Sequence, residues 1–473
     1  MSSLSVAEAA LTILLSLGLL LSVAQHLWTL RWTLSRDRAC ALPLPKGSMG
    51  WPFFGETLHW LVQVSRLFLG RCRYGTVFKT HLLGKPLIRV SGAQNVRTLL
   101  LGEHRLVSSQ WPQSARILLG SHTLLGAVGE PHRQRRKILA RVFSHAALES
   151  YMPRIQATLR RELWTWCGVP GPVSVYSATK ALTFRIAARI LLGLRLEESE
   201  CNELAKTFEQ LMENLFSLPL DVPFSGLRKV LRPPLLGLEE EKRRTPGGRP
   251  EVGGKTSSVL HPPLVPAAAG SQEKTSPGNG CLNPKPGRAD SERSCPGLEV
   301  SRWPECECDP DLTLEKLSRL HYLDCVIKEV LRLLPPVSGG YRTALQTFEL
   351  DGYQIPKGWS VMYSIRDTHE TAAIYRSPPE GFDPERFGSA WEEHRAAGRF
   401  HYIPFGGGVR SCIGKELAQA ILKLFAVELV RTVRWELATA SFPDMQTVPI
   451  VHPVDGLQVF FYPLPICGML IHH

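Results

Sequence analysis

Cysteine is scarce in this chain, 11 in 473 residues with no regular spacing, which excludes the disulfide framework of a small secreted protein. Zinc-site spacing is lacking as well: Cys306 and Cys308 form a C-x-C with Cys281 and Cys295 upstream, not the paired C-x2-C or C-x4-C of structural zinc. Acidic residues are outnumbered, 43 Asp and Glu against 55 Lys and Arg, a formal charge of +12. That balance suits anionic lipid headgroups or an acidic protein partner. It does not argue for nucleic acid, because the basic residues are scattered or form short clusters such as Arg133, Arg135, Arg136 and Lys137, without a zinc-finger, homeodomain or RNA-recognition signature. Internal repeats are missing too.

Charge is wholly absent from Ala9 to Leu30, and Leu11 to Val23 is almost purely apolar. This is about one bilayer thickness of helix. Glu8 precedes the run and Arg31, Arg36 and Arg38 follow it, a stop-transfer flank unlike a cleaved signal peptide. Residues 1–30 are therefore expected to be a single-pass anchor with the rest of the protein on the cytosolic side. Residues 31–50 follow as a proline-rich linker, in which Leu42-Pro43-Leu44-Pro45 favours an extended connector. The remainder, with 44% hydrophobic and 21% charged residues in the whole chain, has ordinary globular composition.

Within 51–473, β-branched and aromatic character from Tyr74 to Val90 around Gly84-Lys85-Pro86 predicts a hairpin. Helical spacing predicts helices over Arg133–Phe143, Leu148–Trp166, Ala178–Leu194 and Glu200–Phe216. Between Pro234 and Pro304 no proline-free run exceeds eleven residues, so a long helix cannot pass through, and 233–304 is expected to be a Pro/Gly-rich, disordered interruption. From Leu320 to Leu334 the helical pattern resumes until Pro335-Pro336 stops it, and short strands are expected around Thr347–Ile355 and Trp359–Tyr363.

The segment with the most chemistry is Phe405-Gly406-Gly407-Gly408-Val409-Arg410-Ser411-Cys412-Ile413-Gly414, followed by a helical pattern. Glycines let backbone amides come close to a flat cofactor. A helix N-terminus favours the anionic sulfur that binds metal. The pattern F-G-G-G-x-R-x-C-x-G resembles the haem-binding signature of the cytochrome P-450 superfamily. The fold this implies is mainly α with small β-sheets, the cytochrome P-450 fold, with Cys412 as the ligand of the iron of haem b.

Other residues fit the same resemblance. Glu329 and Arg332 are similar to the family's E-x-x-R and Arg386 to the arginine of P-E-R-F, implying a structural network beneath the haem. Phe405 and Gly414 belong to the cofactor loop. His132 and Arg136, four apart, resemble a W-x-x-x-R propionate pair with histidine in place of tryptophan, and Arg342 and Arg410 match further propionate contacts. Leu44-Pro45-Lys46-Gly47 through Gly55-Glu56-Thr57, Ser217 to Lys229, and Leu334 to Arg342 through Thr368-His369 resemble the retinoic-acid hydroxylase branch, family 26.

That branch implies a retinoid acid, O2, and electrons from NADPH through a membrane-bound cytochrome reductase, in a protein held in the endoplasmic reticulum membrane. The substrate needs an apolar slot, for which Trp111, Phe216 and Phe224 are candidates, and a cation, for which Arg89 is the candidate. The family's long distal helix, with its acid and threonine motif, is not recognisable where it should lie. Ala267–Ser276 has the residue types without the spacing, so the fold is expected to lack that helix and no catalytic acid or threonine is assigned. The alternative to an active enzyme is thus a catalytically impaired splice or gene-model variant. A membrane-tethered interaction module has only the anchor and the basic charge behind it.

Overall fold

The computed structural model describes residues 3–52, 55–57, 74–82, 84–111, 113–120, 123–194, 197–214, 312–371, 375, 378–379, 381–389, 391, 398–446 and 450–464. By its contacts the chain divides into two units, Met1–Leu235 with Asp311–Ile466, and Leu236–Pro310 with Cys467–His473. The second unit consists wholly of residues outside the described set. The expected interruption at 233–304, the distal-helix position, the C-x-C at 306–308, and Phe216 and Phe224 fall outside it as well.

Helix α1 (Ser3–Leu34) contains a stretch, Leu11–Leu34, long and apolar enough to cross a membrane. Leu14, Leu19 and Leu20 are about two-thirds exposed, as lipid-facing side chains would be. The helix outruns the expected anchor boundary at residue 30. Trp28 is buried and its Nε1 donates to the Met49 carbonyl at 3.3 Å. The Trp28 and Trp32 rings meet His81 at 5.0 and 5.3 Å, and Trp32 meets Trp359 edge-on at 6.0 Å. Large aromatic side chains gain most from leaving water, so the last turns of α1 join the globular core.

The proline-rich stretch after α1 lies strapped along the body. Gln354, fully buried, accepts from the Asp37 amide at 2.9 Å and donates through Nε2 to the Cys40 and Leu42 carbonyls. Its own amide donates to the Pro43 carbonyl at 3.0 Å, and Lys79 N donates to Lys46 O at 2.8 Å.

The expected hairpin forms between β1 (Val77–Leu82) and β2 (Lys85–Val90), turning at Gly84 with φ 75°. The chain continues through α2 (Ala93–Leu101), β3 (Val107–Ser109), α3 (Gln113–Leu119), α4 (Glu130–Ala140), α5 (His145–Cys167), β4 (Val173–Ser174), α6 (Val175–Ile190) and α7 (Glu198–Asn214). After the undescribed stretch come α8 (Leu314–Ser318), α9 (His321–Leu333), β5 (Gly339–Ala344), β6 (Phe348–Leu350), β7 (Tyr353–Ile355), β8 (Ser360–Ser364) and α10 (Ile365–Glu370). Two 3-10 turns, Pro384–Phe387 and Gly408–Arg410, lead into α11 (Lys415–Thr432) and then β9 (Val433–Leu437), β10 (Met445–Gln446), β11 (His452–Pro453) and β12 (Gln458–Pro463).

Five strands form one sheet in the order β1-β2-β8-β5-β3, antiparallel except for the parallel pair β2 and β8. Ile88, Val90, Val361 and Tyr363 on one face of it pack with Val96, Leu99 and Leu100 of α2 into the first core. The second core is helical. On α5, Leu148, Met152, Ile155, Leu159, Leu163 and Trp166 recur every three or four residues and meet Leu417, Ala420, Leu424 and Val427 of α11. Glu428 is fully buried between these helices and is matched by Arg160 at 2.9 Å, Arg431 at 3.1 Å and Gln156 at 2.9 Å. Each core thus fixes one wall of the glycine loop: α2 presses on the 408–410 turn, and α11 carries Cys412 just ahead of its first residue.

Candidate functional site

The segment from Ile403 to Gly414 is a folded-back loop closed by its own backbone. Gly406 N donates to Ile403 O and Cys412 N to Phe405 O, both at 2.9 Å. Gly406 and Gly408 have φ of 67° and 65°, left-handed values that disfavour a side chain. Gly408 is also pressed onto α2, since a Cβ there would lie 2.2 Å from the Leu100 carbonyl oxygen. Gly414 caps α11, and a Cβ on it would touch Phe143 at 3.6 Å. Cys412 is a free, exposed thiol, whereas the other described cysteines are buried or half-buried. Phe405 is half-buried.

Guanidinium groups from three separate elements converge here. Arg136 of α4 donates to the Ser411 carbonyl at 2.6 Å, one residue before the thiol, and to its Oγ at 3.3 Å. Arg410 donates to the Ala127 carbonyl and, through Nε, to Glu103 Oε1, both at 2.7 Å. Arg342 of β5 places Nε 2.8 Å from Glu103 Oε2. Neither of those two atoms has a hydrogen-bond partner, so this contact is an ion pair without a well-directed hydrogen bond. His132 is buried with Nδ1 unpartnered, and its ring lies 5.7 Å from that of His104, whose two ring nitrogens are unpartnered as well. Burial, then the neighbouring guanidiniums, push His132 below its ordinary value; His104 goes the same way although Glu103 opposes it.

A haem with two carboxylates fits this donor set. Open sulfur, three guanidiniums and buried imidazole nitrogens without partners are what an iron porphyrin would engage, and orphaned buried polar atoms are costly unless something satisfies them.

On the far side of the loop the expected ion-pair network is present. Glu329 and Arg332, both fully buried on α9, pair at 2.7 and 2.9 Å. Arg386 reaches Glu329 Oε1 at 3.2 Å, and Asp383 N donates to the same oxygen at 2.9 Å. Arg332 and Arg386 both donate to the Gly381 carbonyl, at 3.1 and 3.2 Å. A buried charge pair holds only when its remaining hydrogen-bonding capacity is largely satisfied, and the Gly381 carbonyl and Asp383 amide supply that here.

Two residues of the site are given no role by the sequence expectations, although His369 falls within a stretch that carries the branch resemblance. His369, fully buried on α10, accepts from Ile403 N at 2.9 Å through Nε2, so its Nδ1 carries the proton toward the Arg332 carbonyl at 3.2 Å. It links the ion-pair helix to the cofactor loop. Glu103 is the other, an acidic residue just past α2 with no signal of its own in the sequence. Of the substrate candidates, Arg89 is buried on β2, on the side of Leu87, Met362 and Tyr341, away from the loop cluster. Trp111 is half-buried just after β3.

A family model described as "Cytochrome P450" matches residues 45–245 and 307–460, leaving 246–306 unmatched. Cytochrome P450 26C1 of Homo sapiens is 65% identical over 514 aligned positions, covering 98% of this chain and 97% of the relative. That alignment is longer than the 473 residues of this chain, so the relative carries residues with no counterpart here. Cytochrome P450 26B1 of Danio rerio is 49% identical, covering 95% and 93%. Among solved structures, "Retinoic acid bound cyanobacterial CYP120A1" superposes with a TM-score of 0.69 at 30% identity, over 90% of this chain and all of that one. With a thiol at the loop's end, cations around it and these likenesses in agreement, the chain belongs to the cytochrome P450 family, in its branch 26.

Proposed function

We propose that the chain is a haem-thiolate monooxygenase that hydroxylates retinoic acid, using O2 and electrons that NADPH supplies through a membrane-bound cytochrome reductase. The observation that carries this reading is the exposed Cys412 thiol at the end of a glycine loop ringed by Arg136, Arg342 and Arg410. Cys412 would ligate the iron of haem b. His132, Arg136, Arg342 and Arg410 would take its propionates, and Phe405 and Gly414 would line the loop. When bound, a thiolate-ligated haem supplies dioxygen activation. The residues of the chain hold the sulfur in place: the Cys412 amide is tied to Phe405, Arg136 pins the carbonyl of Ser411, and Glu329, Arg332 and Arg386 brace the loop from below through His369.

The retinoid reading is supported by the branch-26 relatives and by the superposed cyanobacterial protein, which is named as bound to retinoic acid. A retinoid acid is an apolar polyene with one carboxylate, and Arg89 suits that end. It is buried beside Leu87 and Met362 with Nη1 unpartnered, and burial holds it below its ordinary value against the opposing fields of Asp367 and Tyr341. Trp111 is assigned to the apolar slot. A location on the endoplasmic reticulum membrane with the globular body in the cytosol is supported by the apolar run of α1 and the basic flank that follows it. An impaired variant is not favoured by likeness this close to branch-26 enzymes.

The test is spectroscopic. The full-length chain, purified with haem, reduced and exposed to carbon monoxide, is expected to give the red-shifted Soret band of thiolate-ligated iron, and Cys412→Ala to lose it. A wild-type chain without that band would end the enzymatic reading.

A further inference from the structure

Glu103 is the only acidic side chain, among the described residues, that contacts the arginines around Cys412, and neither iron ligation nor propionate binding uses it. Its side chain is 2% exposed. Oε1 accepts from Arg410 Nε at 2.7 Å and from the Ser109 amide at 3.0 Å, while Oε2 lies 2.8 Å from Arg342 Nε. A tight turn aims it. His104 N donates to Val107 O at 2.7 Å, Leu106 N to Gly102 O at 2.7 Å, and His104 takes φ 69°, a left-handed conformation that costs a non-glycine residue backbone strain. Strain of this kind persists only where surrounding contacts over-determine it.

Counting charge in the cluster gives the reason for a carboxylate. Arg136, Arg342 and Arg410 contribute three fixed positive charges, burial disfavours charge on His104 and His132, and Arg133 on the outer face of α4 is matched by Glu130 at 3.6 Å. Two haem carboxylates would leave one guanidinium uncompensated in a largely buried place, where an unpaired charge is expensive. One further negative charge brings the sum to zero.

We propose that Glu103 is a positioning residue that balances the haem-carboxylate pocket: it cancels one of the three guanidiniums and bridges Arg342 and Arg410, holding both in place. The inference rests on the haem-thiolate reading above. A charge-balancing carboxylate acts on the iron in a way that a purely structural one does not. Reduction adds a negative charge to the iron centre, so removing a nearby negative charge favours the ferrous form, and it does so through the field rather than through packing.

The experiment uses the full-length haem-loaded protein in detergent micelles and reads the ferric/ferrous midpoint by spectroelectrochemical titration. Glu103→Gln, which keeps size and removes charge, is expected to move the midpoint to more positive values, with a several-fold higher ferrous fraction at a fixed electrode potential. Glu103→Gln combined with Arg342→Gln restores the sum of charges and is expected to return the midpoint toward wild type. Glu103→Asp, which keeps the charge on a shorter stem, is expected to stay near wild type and stands in if the Gln variant sheds haem. An unshifted midpoint in Glu103→Gln, a double variant that stays with the single one, or loss of haem from both the Gln and Asp variants would overturn the proposal. A wild-type chain that takes up no haem would instead sink the reading on which it rests.

Discussion

His369 is a buried base with both ring nitrogens engaged, and its ring proton is committed to the Arg332 carbonyl. Burial, joined by the charge of Arg332, lowers its pKa from 6.5 to about 4. The folded ring therefore holds a second proton less tightly than the unfolded one. Stability from this residue is complete above pH 6.5 and is lost as pH falls toward about 4, by up to ~3 kcal/mol at 1.36 kcal/mol per unit. His369→Gln, which can still accept from Ile403 N, is expected to flatten that slope, read as urea midpoints at pH 7 and pH 5. Residues differ in how far the sequence announces them. Cys412 and Arg410 are visible because motif neighbours define their roles. Glu103 and His369 are not, because their partners stand 307 and 34 residues away and the pairing exists only once the chain is folded. The sequence pointed to a propionate for Arg410; the fold adds a protein carboxylate to its partners.

At the scale of elements, the 408–410 turn and α2 are fitted to each other. Gly408→Ala would set a Cβ 2.2 Å from the Leu100 carbonyl and force a side chain into a left-handed backbone. It is expected to cost about 1–3 kcal/mol and to lower haem retention on gel filtration, since the loop must shift relative to α2. Cutting the brace beneath the loop is more severe. Glu329→Ala leaves Arg332 and Arg386 buried without their shared carboxylate, and a loss of about 3–5 kcal/mol in urea unfolding is expected.

The long helices after Arg133 that the sequence shows were readable to within a few residues because their periodicity is strong, whereas α2, β5, β9 and β12 were not expected. The helix expected over Leu148–Trp166 is His145–Cys167, extended by Ser144, whose side chain caps it by accepting from Ala147 N. The one expected to stop before Pro335 ends at Leu333. Two-residue strands such as β4 and β10 carry no periodicity and were invisible in the sequence. They form because β12 and β11 offer them open edges.

At the scale of the molecule, the anchor and the body share a core. The sequence placed a boundary at residue 30 where charge returns, because charge marks the end of lipid contact, but it could not show that Trp28 and Trp32 fold inward against His81 and Trp359. A chain beginning at Gln25 is expected to melt as the full-length protein does. One beginning at Asp37 loses the buried Trp28 and its ring contacts and is expected to lose about 2–3 kcal/mol, measured by thermal melting in the same detergent.

This shared core ties the apolar helix α1 to the body. A bilayer thinner or thicker than the apolar run tilts a helix to suit itself, and here the segment after α1 offers no loose joint, since Gln354 clasps it at Asp37, Cys40, Leu42 and Pro43. Any rocking of that helix would therefore be felt through two indoles at His81 of β1 and at Trp359 just ahead of β8, in the sheet to which the strands of Arg89 and Arg342 also belong.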